Sequence, residues 1–117
     1  MTVTPMRLTV AELPSYLRVV DKWLAEDERK EIVHYLAAHP SAGVLIQGTG
    51  GVRKLRWSRE GRGKSGGVRV IYYFHSEHMP LYLLTMFARS ERANLIADER
   101  NALERLVDAL VSIWLTR

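Results

Sequence analysis

Between Val52 and Arg89 three strand-like runs, "VRKLRW", "VRVIYYFHS" and "LYLLTMFAR", follow one another with only turn-forming stretches between them. No other feature constrains the fold as much. Strands joined by short turns pair antiparallel, because a parallel pairing needs a crossover of a dozen or more residues, so a meander is expected here. In the first run Leu55 and Trp57 alternate with Lys54, Arg56 and Ser58, giving one apolar and one basic face. In the second, Val68, Val70, Tyr72 and Phe74 share a face, and Arg69, Ile71 and Tyr73 share the other. The third is almost continuously apolar, as expected of a central strand covered on both sides.

Helical spacing flanks this block. "MRLTVAEL" (6–13) reads as a short first strand, and Pro14 suits the first turn of a helix, where its missing N–H is not needed. Leu17, Val20 and Leu24 then recur at helical intervals, and Ile32, Val33 and Leu36 mark a second helix that Pro40 ends. Glu26, Asp27 and Glu28 in its first turn favour the helix dipole. A link near Ala25 would make the two a hairpin. "AGVLIQGTGG" reads as a loop. At the other end Leu103, Leu106, Val107, Leu110, Ile113 and Trp114 form one stripe of a last helix, with Asp98 as its N-cap. The expected fold is α+β: an antiparallel β-meander packed against an N-terminal helical hairpin and a C-terminal helix, with the helices mainly on one face. Residues 1–117 are expected to form a single domain.

Charge is unevenly spread. The chain carries a net +4, but from Val52 to Arg69 seven bases stand against one acid, a local +6. Like charges on neighbouring strands repel, so a patch of one sign points to a polyanionic ligand. Lys54, Arg56 and Arg69 would lie on adjacent strands, with Arg62 and Lys64 arching over them, as a shallow groove for phosphates. Tyr73, on the face of Arg69, is placed to stack a base or hold a sugar hydroxyl. Tyr72 reads as core.

Other chemistries find little support. With no cysteine there is no disulfide, thiolate nucleophile or cysteine-ligated metal. "HSEH" (75–78) is a weak metal signal, and His34 and His39 lack partners at ligand spacing, so neither metal nor cofactor is expected. "GRGKS" only resembles the tail of a phosphate-binding loop and precedes a strand rather than a helix. No apolar run approaches the roughly 20 residues that span a bilayer. The start lacks the layout of a secretion signal, so a cytoplasmic location is expected.

The segments "QGTGGVRKLRW", "GGVRVIYYF" and "LLTMFARSERANL", in that order and spacing, resemble the HigB branch of the RelE/ParE toxin superfamily, toxins of bacterial type II toxin–antitoxin modules. The resemblance runs from about Met6 to the last helix. It implies a ribosome-dependent endoribonuclease that cuts messenger RNA and halts translation. It also implies a cognate antitoxin, often with a helix-turn-helix domain, that neutralises it. Residue by residue, it carries the paired bases of the first meander strand to Lys54 and Arg56, the arginine opening the next strand to Arg69, and the base after the last strand to Arg89, followed by Ser90. Where a RelE-type site uses a tyrosine, this chain has Leu95 and Ile96, which leaves Tyr73 as a substitute if it points into the groove.

With no metal cluster and no carboxylate base in view, the chemistry expected is attack by the RNA's own 2′-OH on the adjacent phosphate. Arg56 and Arg69 would clamp the phosphate, and Lys54, crowded by like charges that disfavour its protonated form, would be the base. Arg53, Arg59, Arg62, Lys64 and Arg89 would bind RNA or the ribosome, with Arg62 or Lys64 as an alternative proton donor. A gyrase-poisoning protein of the ParE type and a non-catalytic basic RNA-binding module remain alternatives.

Overall fold

The structure, a computed structural model, describes residues 8–58 and 67–115. Its elements run β1 (Val10–Glu12), α1 (Pro14–Trp23), α2 (Glu26–Ala38), β2 (Val44–Leu45), β3 (Val52–Trp57), β4 (Val68–Tyr73), β5 (Leu81–Ala88) and α3 (Ala97–Leu115). One sheet holds all five strands in the order β1-β5-β4-β3-β2. The expected meander is β3–β4–β5, antiparallel throughout. The first strand, shorter than the sequence implied, joins β5 in parallel and makes the sheet mixed. The segment read as a loop contributes the two-residue edge strand β2, paired with Arg53 and Lys54.

The helices cover both faces rather than mainly one. On one side Tyr16, Val20 and Leu24 of the hairpin segment and Ile32 and Leu36 of α2 pack on Leu55, Val68, Val70, Tyr72, Leu81, Leu83 and Met86. The buried stripe of α1 is therefore set by Tyr16 and Val20, while Leu17 is 43% exposed. On the other side Val107 and Leu110 of α3 pack on Val52, Ile71, Tyr73, Leu84 and Phe87. Strand β4 is buried along its whole length, the reason it needs a cover on each face. Leu84 has no Cα partner on β4, since Ile71 pairs with Thr85 and Tyr72 with Leu83; this bulge lets both Leu84 and Phe87 reach the α3 side.

Two helices start with the same device. Glu28 reaches back to the N–H of Ala25 (3.3 Å), and Glu99 to the N–H of Ile96 (2.9 Å). Each is the third residue of its helix, so each supplies the glutamate half of a capping box. Asp98, expected as the N-cap, instead lies inside the first turn of α3.

Candidate functional site

Alternation along β3 sends Val52, Lys54 and Arg56 to the α3 side of the sheet and Leu55 and Trp57 to the hairpin side. Arg56 pairs in register with Arg69, and Arg69 with Phe87 on β5. The side chains of directly opposed residues share a face, so two guanidinium groups stand across from each other. Arg89, just after β5, completes the set. Arg56, Arg69 and Arg89, with Trp57, Ser58, Gly67 and Ser90, line an open cleft of about 640 Å³ in which, among the described residues, no acidic side chain takes part.

Arg69 is the anchor. It is only 8% exposed, and the bond its side chain makes to the carbonyl of Val68 is long, at 3.4 Å. Burial lowers its pKa from the usual guanidinium value, and the charges of Arg56 and Arg89 lower it further. It stays cationic, but in a setting that an incoming anion would relieve. The ion pairs of the described residues lie elsewhere: Arg29 with Glu12 and Asp21, Lys30 with Glu26, and Arg92 with Glu99.

Two residues nearer the start of β3, Lys54 sits in a second notch of about 470 Å³ with Gln47, Asn94 and Arg100. Its ammonium donates to Oδ1 of Asn94 (3.1 Å). Arg100 donates to the carbonyl of Leu95 (2.8 Å), and Arg92 both pairs with Glu99 (2.6 Å) and lies 4.7 Å from the ring of Phe87. These contacts fasten the segment between β5 and α3 as the far wall. The near wall is the turn before β3. There the fully buried Thr49 donates to the carbonyl of Ile46 (2.7 Å) and accepts from the N–H of Val52 (3.0 Å), and Gly48 and Gly50 adopt positive φ.

The structure thus brings Lys54, Arg56, Arg69 and Arg89 to one side of the sheet. It separates Arg53 and Tyr73 from them. Arg53 points to the hairpin side, where its guanidinium donates to the carbonyls of Ser41 (3.2 Å) and Gly43 (2.8 Å). Tyr73 shares the face of Arg69 but lies at the other end of β4, 4% exposed beneath α3, and burial followed by the charge of Asp108 raises its phenol pKa. A buried ring cannot stack a base or reach a phosphate in the cleft, which corrects its place in the expected set. Arg59, Arg62 and Lys64 lie outside the described residues. Sequence reasoning missed Asn94 and Arg100. For Asn94 the signal was a polar cluster, "SERAN", directly after the most apolar strand, and for Arg100 a charged first helical turn, "DER". Among the described residues no group of three or more histidines, aspartates or glutamates could hold a metal ion, and no helix is long and apolar enough to cross a membrane.

A family model described as the RelE toxin of the RelE/RelB toxin–antitoxin system matches residues 22–114, well over half of the chain. Among solved structures, a double arginine-to-alanine mutant of the E. coli toxin RelE in the free state superposes with a TM-score of 0.51 at 16% identity, covering 87% of this chain and 98% of that one. At that identity the likeness establishes the shared fold.

Proposed function

Because this chain belongs to the RelE toxin family of toxin–antitoxin systems, we propose that it is a translation-blocking endoribonuclease that cuts messenger RNA on the ribosome in the cytoplasm. The observation that carries this reading is the convergence of Arg56, Arg69 and Arg89 on a cleft that no carboxylate of the described residues lines. Such a cleft suits an oxyanion.

The reaction is transesterification within the RNA. The 2′-oxygen attacks the adjacent phosphorus, the bond from phosphorus to the 5′-oxygen breaks, the departing oxygen takes a proton from water, and a 2′,3′-cyclic phosphate and a 5′-hydroxyl result. Charge builds on the nonbridging oxygens at the phosphorane. Arg56, Arg69 and Arg89 are set to receive it, and each well-placed donor of this kind is worth about 3–4 kcal/mol. Lys54, in the second notch on the same side of the sheet and held by Asn94, takes the proton of the 2′-OH in this scheme. No step calls on a cofactor.

A cognate antitoxin is the partner that the family implies. The HigB-like segments favour one with a helix-turn-helix domain, encoded beside the toxin. The experiment is to map message 5′ ends on translating ribosomes after adding purified protein, with and without that antitoxin. Discrete cuts that vanish in the Arg69→Ala variant are expected. Intact message on stalled ribosomes would replace this reading with a non-catalytic RNA-binding module. Arrest of DNA replication before protein synthesis would replace it with a gyrase-directed toxin.

A further inference from the structure

Two openings lie side by side on the α3 face of the sheet. Strand β3 carries Arg56 into the first and Lys54, two residues back and about 7 Å away along the strand, into the second. Cleavage draws on Lys54 alone in the second opening. Its other walls include Gln47, Asn94 and Arg100, with Ile46 and Leu95 as apolar surface. Oδ1 of Asn94 accepts from the Lys54 ammonium (3.1 Å), which leaves the amide its NH2 as a donor. Arg100 uses one N–H on the carbonyl of Leu95 (2.8 Å) and belongs to no ion pair among the described residues. Ammonium, guanidinium and amide NH2 all donate. Such a notch suits a planar group with acceptors along one edge.

We infer that this notch reads the base on the 5′ side of the cut, that of the nucleotide whose 2′-oxygen attacks, and favours guanine. The inference rests on the cleavage reading of the arginine cleft, with Lys54 at the 2′-OH. Covalent geometry supplies the link. The 2′-carbon is bonded to C1′, and C1′ carries the base, so a side chain that touches the 2′-OH has that base beside it. With the scissile phosphate among the arginines and this ribose at Lys54, the base falls against Asn94, Arg100 and Gln47. Unpaired RNA bases are read by hydrogen bonds to their edges. Guanine presents two neighbouring acceptors, O6 and N7, the pattern that a guanidinium fork matches. Adenine has an amino group where guanine has O6, so a donor would face donors. Pyrimidines have no N7. The side chain of Gln47 can add a further amide NH2, and Ile46 and Leu95 give the ring an apolar contact.

The test is the single-turnover cleavage rate on ribosomes carrying synthetic messages that differ only in the nucleoside 5′ of one mapped cut. Guanosine is expected to exceed adenosine by about tenfold or more, the worth of one bidentate base contact. Inosine, which keeps O6 and N7, should stay within about twofold of guanosine. The 7-deaza analogue of guanosine, which lacks N7, should fall toward adenosine. Arg100→Lys keeps the charge and a donor for Leu95 but loses the fork, so the guanosine-to-adenosine ratio should drop below about twofold. A merely structural role for Arg100 would slow every message alike and leave that ratio at its wild-type value. Thermal melting checks that Arg100→Lys folds; Gln47→Ala, expected to lower the same ratio, carries the test if it does not. Equal rates with all four nucleosides, or a wild-type ratio in both variants, with Arg69→Ala still inactive, would overturn the base reading alone. Message left uncut by the wild type would overturn the cleavage reading and the base reading with it.

Discussion

The two faces of the sheet handle polar groups in opposite ways. On the hairpin face the polar side chains that reach inward from β3 and β4 are held mainly by backbone, although Nε of Arg53 and, from α1, the hydroxyl of Tyr16 are buried without a partner. Arg53 donates to the carbonyls of Ser41 and Gly43, and the hydroxyl of Tyr72 accepts from the N–H of Gly43 (2.8 Å) and donates to the carbonyl of Pro40 (2.8 Å). That packing leaves no room at residue 43 for anything but glycine, since a Cβ there would lie 2.8 Å from the Tyr72 ring. On the α3 face Arg69 is more buried than Arg53, but its charged neighbours are two more arginines. Satisfied polar groups stabilise a fold, while crowded like charges destabilise it and await a ligand. The difference separates arginines that hold the protein together from arginines available for chemistry, two residue classes that look identical in one dimension.

The sharpest way to break this contrast is to exchange the fates of Arg53 and Arg69. Arg69→Ala should lower cleavage by about 100-fold or more and leave the denaturation midpoint close to wild type. Arg53→Ala should leave cut sites in place but destabilise the fold by about 1–3 kcal/mol, through the carbonyls it strands. Cleavage assays and urea titrations on both variants measure this, and a reversed pattern would dissolve the distinction between the faces.

The two adjacent tyrosines sharpen it next. Tyr72→Phe should cost about 1–3 kcal/mol, because a buried N–H and a carbonyl both lose their partner. Tyr73→Phe should cleave like wild type. A dead Tyr73→Phe enzyme with normal stability would return Tyr73 to the reaction and mean that α3 moves off it.

The smallest effect concerns the wall between β5 and α3. The hydrogen bond from Arg92, with help from the N–H of Ile96, holds the Glu99 carboxyl below its ordinary value of 4.5, against the opposing effect of burial. A depressed folded-state pKa means stability present above about pH 4.5 and lost as pH falls through the folded value. Glu99→Gln should therefore flatten that acid limb in urea titrations. The effect should stay below about 1 kcal/mol because both partners are roughly a third exposed.

Much of the contrast was legible in one dimension. Alternation with period two assigned Lys54 and Arg56 to one side and Leu55 and Trp57 to the other, and it grouped Arg69 with Ile71 and Tyr73; all of this holds in the structure. Arg53 was misread because it belongs to a run of bases, and the run hid the face it occupies. Its carbonyl partners come from the α2–β2 connection, ten and twelve residues away. Asn94 was overlooked for a similar reason, since it meets Lys54 across 40 residues of chain. The stripe of α3 was read too long: Ile113 and Trp114 overhang the sheet at 65% and 44% exposure, and Trp114 is held only at its indole N–H by the Tyr82 hydroxyl (2.8 Å).

The order of residues by itself determined the strands, their pairing through short turns and the side each base takes, because those follow from local geometry and the two-residue repeat. Only the tertiary structure decided where that side stays open. Helix α3 docks over the Tyr73 end of β4 and leaves the Arg69 end to line the cleft. Where a helix comes to rest depends on the summed packing of side chains far apart in the chain, so two residues four positions apart on one strand met opposite fates, one sealed in the core and one facing the cleft.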